Sequence, residues 1–216
     1  MSSRESILQT LRKAQDRNPI EPTQPKHFDT MIYDRENLVD VYTQYQKANM
    51  ANLISTKRDK LLETINNIIK DNDIKELLCA KNIVDIEDKF MESLQTQTLL
   101  YNTSVDDMRD KLFSIEASIL HAQVGVANLG ILGLGTNECN PRLASLAVKT
   151  CIILLRKEDI VANLFEAFKV LKISGQDNKL PTNIVFLAGP SRTADIELQT
   201  VFGVHGPQNI HVVLYE

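Results

Sequence analysis

Cysteine is scarce in this chain, and its spacing fits no cluster or disulfide framework. The three cysteines, Cys79, Cys139 and Cys151, are far apart, and no Cys-x-x-Cys motif occurs. We therefore expect neither an iron–sulfur cluster nor a set of disulfides. Cys79 and Cys151 lie in apolar runs and should be core thiols, whereas Cys139 lies in a polar loop and is the candidate for reactivity.

Basic blocks and long apolar runs are also missing. The 216-residue chain has 24 Lys and Arg against 28 Asp and Glu, and its net charge is −4. Nucleic acid and anionic membrane surfaces are therefore not expected as partners. No apolar run approaches the roughly 20 residues that span a bilayer. The N-terminal segment lacks the apolar core of a signal peptide, so we expect a cytoplasmic protein.

Several catalytic motifs are absent as well. The chain has no Gly-x-Ser-x-Gly elbow, no His-Glu-x-x-His motif and no Gly-x-x-x-x-Gly-Lys-[Ser/Thr] loop, which disfavours a serine hydrolase, a zinc site and a P-loop. Four glycines between Gly125 and Gly135 do not match the dinucleotide fingerprint. They indicate tight turns or close backbone approach to a ligand, or alternatively a glycine-rich sheet corner. We expect no cofactor and no metal.

Strand and helix patterns alternate along most of the chain. Apolar runs of strand length occur at 51–55, 76–80, 98–101, 148–155, 184–188 and 210–214. Helical periodicity occurs at 3–17, 34–50, 57–70, 105–113, 158–171 and 194–202, and 115–126 is mixed. Strands separated by helices of this length predict right-handed crossovers, and hence an α/β fold with a mostly parallel sheet.

The N-terminal segment is predicted to be an extension of that fold. Ser2 and Glu5 have the capping-box spacing, which predicts the helix at 3–17. Pro19, Pro22 and Pro25 follow in a connector that should not be helical. We therefore divide the chain into a helix and proline-bearing linker at 1–30 and an α/β domain at 31–216.

The most informative stretch lies near the C-terminus. Gly189 and Pro190 end the strand at 184–188, and Ser191, Arg192 and Thr193 precede the helical pattern at 194–202. A strand, a polar turn and a helix N-terminus form an anion site in open α/β sheets, where Arg192 would clamp a carboxylate or phosphate. Alternatively, Ser191 and Thr193 only cap a helix, and Arg192 pairs with Asp195 or Glu197.

His205 lies in the nearby Gly203–Pro207 turn. It is a candidate general acid/base or hydrogen-bond donor to a carboxylate, and equally a residue that holds the turn through backbone hydrogen bonds. His211 lies in an apolar strand and should be structural. With His27 and His121, these histidines show no paired spacing of a metal site.

The sequences Gly-Pro-Ser-Arg-Thr-Ala-Asp-Ile-Glu at 189–197 and Gly-Val-His-Gly-Pro at 203–207 closely resemble the C-terminal signature of the lactate-utilisation (LUD domain) family, LutC/YkgG branch. The resemblance extends more loosely back to about Gly125. Ile131–Thr136 lies where the family has Ile-Ala-Glu/Asp-Thr-Gly-Thr, but Gly133 replaces the acidic residue. The residues assigned to anion binding are Ser191, Arg192, Thr193, Asp195, Gly135 and Thr136.

The resemblance implies a fold like that of NagB, RpiA and the CoA transferases, with helices on both faces of the sheet. It also implies a clusterless, non-redox subunit that acts with iron–sulfur oxidoreductase subunits in oxidising L-lactate to pyruvate, without turnover of its own. The alternative is a stand-alone enzyme or binding protein for a phosphorylated or acyl-CoA ligand. Gly133 argues against that alternative, since such chemistry relies on a carboxylate, although Glu138 is near in sequence.

Overall fold

The computed structural model describes residues 3–17, 37–86, 89–173, 180–194 and 200–216. The chain divides into two compact units, Met1–Thr30 and Met31–Glu216. Within the first unit, α1 (Ser3–Arg17) confirms the predicted N-terminal helix. The predicted linker with Pro19, Pro22 and Pro25 lies outside the described residues.

The second unit alternates strands and helices. Its described strands are β1 (Asn52–Thr56), β2 (Glu76–Ala80), β3 (Gln97–Tyr101), β4 (Ala117–His121), β5 (Val124–Val126), β6 (Ile131–Gly135), β7 (Thr150–Arg156), β8 (Ile160–Val161), β9 (Ile184–Leu187), β10 (Arg192–Ala194), β11 (Thr200–Phe202) and β12 (Asn209–Tyr215). Its described α-helices are α2 (Leu38–Ala48), α3 (Leu61–Asp71), α4 (Val105–Ser114), α5 (Leu143–Leu146) and α6 (Leu164–Ile173).

Six strands form one parallel sheet in the order β1-β12-β7-β4-β2-β3. The last strand of the chain, β12, is therefore an interior strand. Its residue Val213 pairs with Ile54 of β1 on one side and with Leu154 of β7 on the other. Such strands have both faces buried, which explains their nearly continuous apolar composition. The predicted α/β fold with a mostly parallel sheet is confirmed.

Helices cover both faces of this sheet. Along β7, Ile152 and Leu154 pack with the buried residues of α3, whereas Cys151, Ile153 and Leu155 pack on the opposite side with Tyr42 of α2. Successive residues of a strand point to opposite faces, so one apolar run supplies both cores. Burial raises the pKa of the Cys151 thiol to about 12, as expected for a core thiol.

A second sheet, in the order β8-β5-β6-β9, continues from the first. The chain passes from β4 into β5 and from β7 into β8, and β5 and β8 are parallel. The helix predicted at 158–171 begins at Leu164 instead, because residues 160–161 form β8. The run at 184–188 was expected to be a buried strand; β9 pairs antiparallel with β6, and of its four residues Leu187 is buried and the other three are half-buried.

Two glycines lie against the backbone at the C-terminal end of α2. Gly130 has a φ of 56°, and a side chain there would clash with the backbone of Tyr45 and Gln46. Gly189 has a φ of 75° and lies against the carbonyl oxygen of Asn49. Both conformations favour glycine. The close backbone approach predicted from the glycine cluster is therefore, at Gly130, an approach to a helix.

Candidate functional site

The segment after β9 forms a hairpin. β10 and β11 pair antiparallel, with Arg192 opposite Phe202 and Thr193 opposite Val201. The predicted helix at 194–202 is wrong at both of its ends, and 195–199 lie outside the described residues. β-Branched and aromatic side chains favour the pleated conformation, and they pair across this hairpin. Arg192 and Thr193 therefore lie on a strand and not at a helix N-terminus.

Backbone hydrogen bonds hold the Ser191 turn against the Gly203–Pro207 turn. The Ser191 N–H donates to the Pro207 carbonyl at 2.8 Å, and the Gly203 N–H donates to the Ser191 carbonyl at 2.9 Å. Gly203 has a φ of 80°, which allows the chain to reverse directly after β11. These contacts bring His205 beside Ser191 and Arg192.

A cavity of about 340 Å³ opens between these turns. Its polar lining includes Ser191, Arg192 and His205, and Leu146 and Phe186 supply apolar surface. Arg192 and His205 are exposed. Among the described residues no carboxylate forms an ion pair with Arg192; the predicted alternatives, Asp195 and Glu197, lie outside that part of the chain. The cavity thus combines a cation, a hydroxyl and an imidazole with an apolar wall.

Other predicted site residues lie elsewhere. Gly135 and Thr136 are at the end of β6, where the Thr136 N–H donates to the Asn183 carbonyl at 2.9 Å and joins β6 to the start of β9. Neither lines the Arg192–His205 cavity, and neither does Thr193. Asp195 is outside the described residues. The structure therefore brings together Ser191, Arg192 and His205 from the predicted set.

Comparison with known proteins identifies the family. The LUD domain model matches residues 39–215. This chain belongs to the LUD domain family. The resemblance expected from the C-terminal signature is confirmed, and the match covers the α/β unit from α2 to β12.

Proteins similar to this LUD protein share modest sequence identity with it. It is 26% identical over 225 residues to an uncharacterised protein of Neisseria meningitidis serogroup B, covering 99% of this chain and 93% of that protein. It is 27% identical over 181 residues to lactate utilization protein C of Shouchella clausii, covering 80% and 73% of the two chains. The crystal structure of a DUF162 family protein from Deinococcus radiodurans has the same fold, with a TM-score of 0.64, 15% identity and coverage of 85% and 99%.

The departure of this LUD chain at Gly133 has a steric explanation. A Cβ at Gly133 would lie 2.6 Å from Val124 Cγ1 and 3.1 Å from Phe186 Cε1. The next residue, Leu134, is 3% exposed and packs in the core. A carboxylate does not fit at position 133 without repacking. Glu138 lies in an exposed turn and does not line the Arg192–His205 cavity.

Sequence reasoning missed one titratable pair of this LUD domain. His121, at the end of β4, has its Nε2 2.9 Å from the hydroxyl of Tyr215 at the end of β12. Burial, and secondarily the charge of Arg156, lowers the pKa of His121 to about 4. The ring is therefore neutral at pH 7, and its Nε2 shares a hydrogen bond with the Tyr215 phenol. The two residues are 94 positions apart in the sequence, so no local sequence pattern indicates their contact.

His211 is buried in β12, as expected of a structural residue, and burial lowers its pKa. Within the described ranges, no group of three or more His, Cys, Asp or Glu side chains could hold a metal ion. None of the helices in the described part of the chain is both long enough and apolar enough to cross a membrane.

Proposed function

We propose that this LUD-family protein is a LutC-like lactate utilisation protein that binds a small carboxylate in the Arg192–His205 cavity. The proteins named lactate utilization protein C of Oceanobacillus iheyensis and Shouchella clausii match 84% and 80% of the chain, respectively. The observation that carries the ligand proposal is the convergence of Ser191, Arg192 and His205 on one cavity.

Each of the three side chains suits a 2-hydroxy or 2-oxo acid. The Arg192 guanidinium can hold a carboxylate through two parallel hydrogen bonds. Ser191 and His205 can bond the hydroxyl or keto oxygen at C2, and His205 is the residue able to move a proton there. Leu146 and Phe186 would pack against a methyl group. A volume of about 340 Å³ is near the lower limit of small-molecule sites, which fits a short acid.

In the proposed role the protein is a non-redox subunit that works beside iron–sulfur oxidoreductase subunits in the cytoplasm. The spacing of Cys79, Cys139 and Cys151 supplies no set of cluster ligands. Electron transfer would therefore belong to the partners, and this chain would bind or position the acid. The alternative ligand classes, sugar phosphates and acyl-CoA, find no carboxylate at Gly133 to serve their chemistry.

The test is ligand-dependent thermal stabilisation of wild type, Arg192→Ala and Arg192→Lys, with L-lactate, pyruvate, phosphate and a sugar phosphate. Arg109→Ala, an exposed arginine on α4, is the matched control. Loss of charge-assisted hydrogen bonds should weaken lactate or pyruvate binding about 10- to 100-fold in Arg192→Ala. Lysine should recover only part of the affinity, because it lacks the planar fork.

Two results would contradict the proposal. In one, Arg192→Ala destabilises the ligand-free protein strongly while the ligand shifts stay as in wild type, which would make Arg192 a structural residue. In the other, phosphate or the sugar phosphate stabilises the wild type and neither lactate nor pyruvate does, which would favour the alternative ligand class.

A further inference from the structure

A second cavity, of about 380 Å³, lies at the carboxyl ends of β2 and β3. It is lined by Lys81, Tyr101, Asn102, Thr103, Ser104 and Glu138, among others. Ala80 and Tyr101 are partners in the parallel register, so Lys81 and Asn102 follow them side by side at the sheet edge. Open α/β sheets place ligands at the carboxyl ends of their strands.

Glu138 reaches this cavity from a well-fixed turn. The side-chain oxygen of Asn137 accepts from the backbone N–H groups of Cys139 and Asn140, both at 2.8 Å. The N–H of Asn82 donates to the carbonyl of Cys139 at 3.0 Å and ties the turn to the end of β2. The backbone that carries Glu138 is therefore tied to the segment that carries Lys81, which immediately precedes Asn82.

Lys81 and Glu138 place opposite charges at this cavity. In the described part of the chain, neither Lys81 nor Glu138 forms an ion pair, with each other or with another residue. Opposite charges that face one small volume without pairing are suited to a ligand that carries both signs. A ligand with a single charge would pair with one of the two side chains and leave the other without an oppositely charged partner.

Tyr101 adds a hydroxyl to the cavity wall. The residue is 3% exposed because its ring packs in the core, and among the residues that the structure describes no hydrogen bond engages the hydroxyl. Burial raises the pKa of Tyr101, so the phenol stays protonated and can donate. The hydroxyl itself is not buried, so it can donate to a ligand in the cavity. Ser104 is already engaged with Asp107, as the cap of α4.

We propose that this cavity binds a small zwitterion with the chemistry of a polar α-amino acid. Lys81 holds its carboxylate and Glu138 its ammonium group. Tyr101 and Thr103 contact its polar side chain. This ligand class differs from that of the Arg192–His205 cavity, whose lining offers a cation without a facing carboxylate among the described residues.

Three matched probes test the charge requirement: L-serine, glycerate, in which a hydroxyl replaces the ammonium group, and ethanolamine, which lacks the carboxylate. Binding is followed through the backbone amide signals of the full chain by two-dimensional NMR. L-Serine should shift the signals of Lys81, Asn102 and Glu138 saturably. Glycerate and ethanolamine should each bind at least about tenfold more weakly, because each loses one charge-assisted contact.

Charge-neutralising variants test which group of the ligand each side chain binds. Glu138→Gln should remove the preference for L-serine over glycerate, and Lys81→Met the preference over ethanolamine. Glu63→Gln and Lys47→Met, at exposed positions on α3 and α2, are the matched controls and should bind L-serine normally. Lys81→Gln serves as a second neutral variant if Lys81→Met does not fold.

Arg192→Ala separates this proposal from the proposed function, since it should leave L-serine binding unchanged. The zwitterion proposal is overturned if L-serine at millimolar concentration produces no localised shifts. It is equally overturned if glycerate or ethanolamine binds as tightly as L-serine, or if the Lys81 and Glu138 variants behave like their controls.

Discussion

Asn49, at the C-terminal end of α2, donates its side-chain amide to the carbonyl oxygen of Gly130 at 2.9 Å. The same amide donates to the Leu129 carbonyl at 2.8 Å, so one side chain fixes the turn that precedes β6. The backbone carbonyl of Asn49 lies directly against Gly189, at the turn that follows β9. The end of α2 therefore joins the glycine-rich segment to the turn that leads into Ser191 and Arg192.

Asn49→Ala should destabilise the protein by about 1–3 kcal/mol, because two half-buried carbonyl groups lose their donor. Asn49→Asp should be at least as harmful, since a carboxylate of similar size cannot donate. The measurement is urea unfolding. The variant should have a lower unfolding midpoint than the wild type and the same m-value. Asn67→Ala, at an exposed position on α3, is the control. Equal midpoints for Asn49→Ala and Asn67→Ala would show that the Asn49 bonds contribute nothing.

Acidification should destabilise the protein through His121, which is neutral and half-buried in the folded state. The pKa of His121 is about 4 in the folded protein and about 6.5 in an unfolded chain. Between these values the unfolded state binds more protons, so stability falls as pH decreases from 6.5 to 4 and is unaffected by this group above that window. The upper limit of the effect is about 3 kcal/mol.

The pH prediction is checked by unfolding His121→Gln beside the wild type across that range. The variant should show a shallower loss of stability, although His211, whose pKa is also lowered by burial, retains part of the slope. Parallel curves for the two proteins would mean that His121 does not titrate as a buried neutral group.

The parallel sheet was predictable because its strands carry their own signal. The predicted strands at 76–80, 148–155 and 210–214 are largely apolar on both faces. The helices between them have clear periodicity, as in Leu61, Ile65, Ile68 and Ile69 of α3. Local pattern and global fold agree in these segments. A local reading of the sequence is therefore sufficient there.

The antiparallel pairing of β10 with β11 was missed for a physical reason. Its residues have a spacing compatible with a helix, and strand pairing between Arg192 and Phe202 depends on a partner segment that periodicity cannot reveal. The same limit applies to Lys81 and Glu138, which share a cavity although they lie on distant segments. Ser191 and Arg192 were found in advance because they lie in a polar turn directly after an apolar strand, and His205 because its turn is close to theirs in sequence; the family resemblance covered both turns as well.

The purified protein should be colourless, with neither iron nor flavin. Its cysteine spacing offers no cluster ligands, and its glycine cluster is not a dinucleotide fingerprint. Metal analysis and an absorbance spectrum after anaerobic purification are the measurements. Stoichiometric iron, or a flavin band that remains after gel filtration, would contradict the assignment of a clusterless subunit.

Deletion of residues 1–25 should leave a folded α/β domain. The prediction follows from the three prolines after α1, since a terminal helix on such a connector is commonly dispensable. Circular dichroism melting of the truncated protein is the measurement, with the full chain as control. A non-cooperative transition would place the helix in the core. A cooperative melting transition together with loss of binding to an oxidoreductase partner would identify the helix as an interaction element.

The last prediction concerns the three thiols. Cys79 and Cys151 are fully buried in β2 and β7, and burial raises the pKa of each to about 12. Cys139 is exposed in the turn that carries Glu138. The thiolate is the reactive form, so an aromatic disulfide reagent should titrate one thiol in the native protein and three in denaturant. Cys139→Ser should abolish the native reaction and leave the unfolding midpoint unchanged, because only the backbone of Cys139 bonds to Asn82. Reaction of a second thiol at the same rate in the native Cys139→Ser protein would show that the sheet opens far more readily than its packing implies.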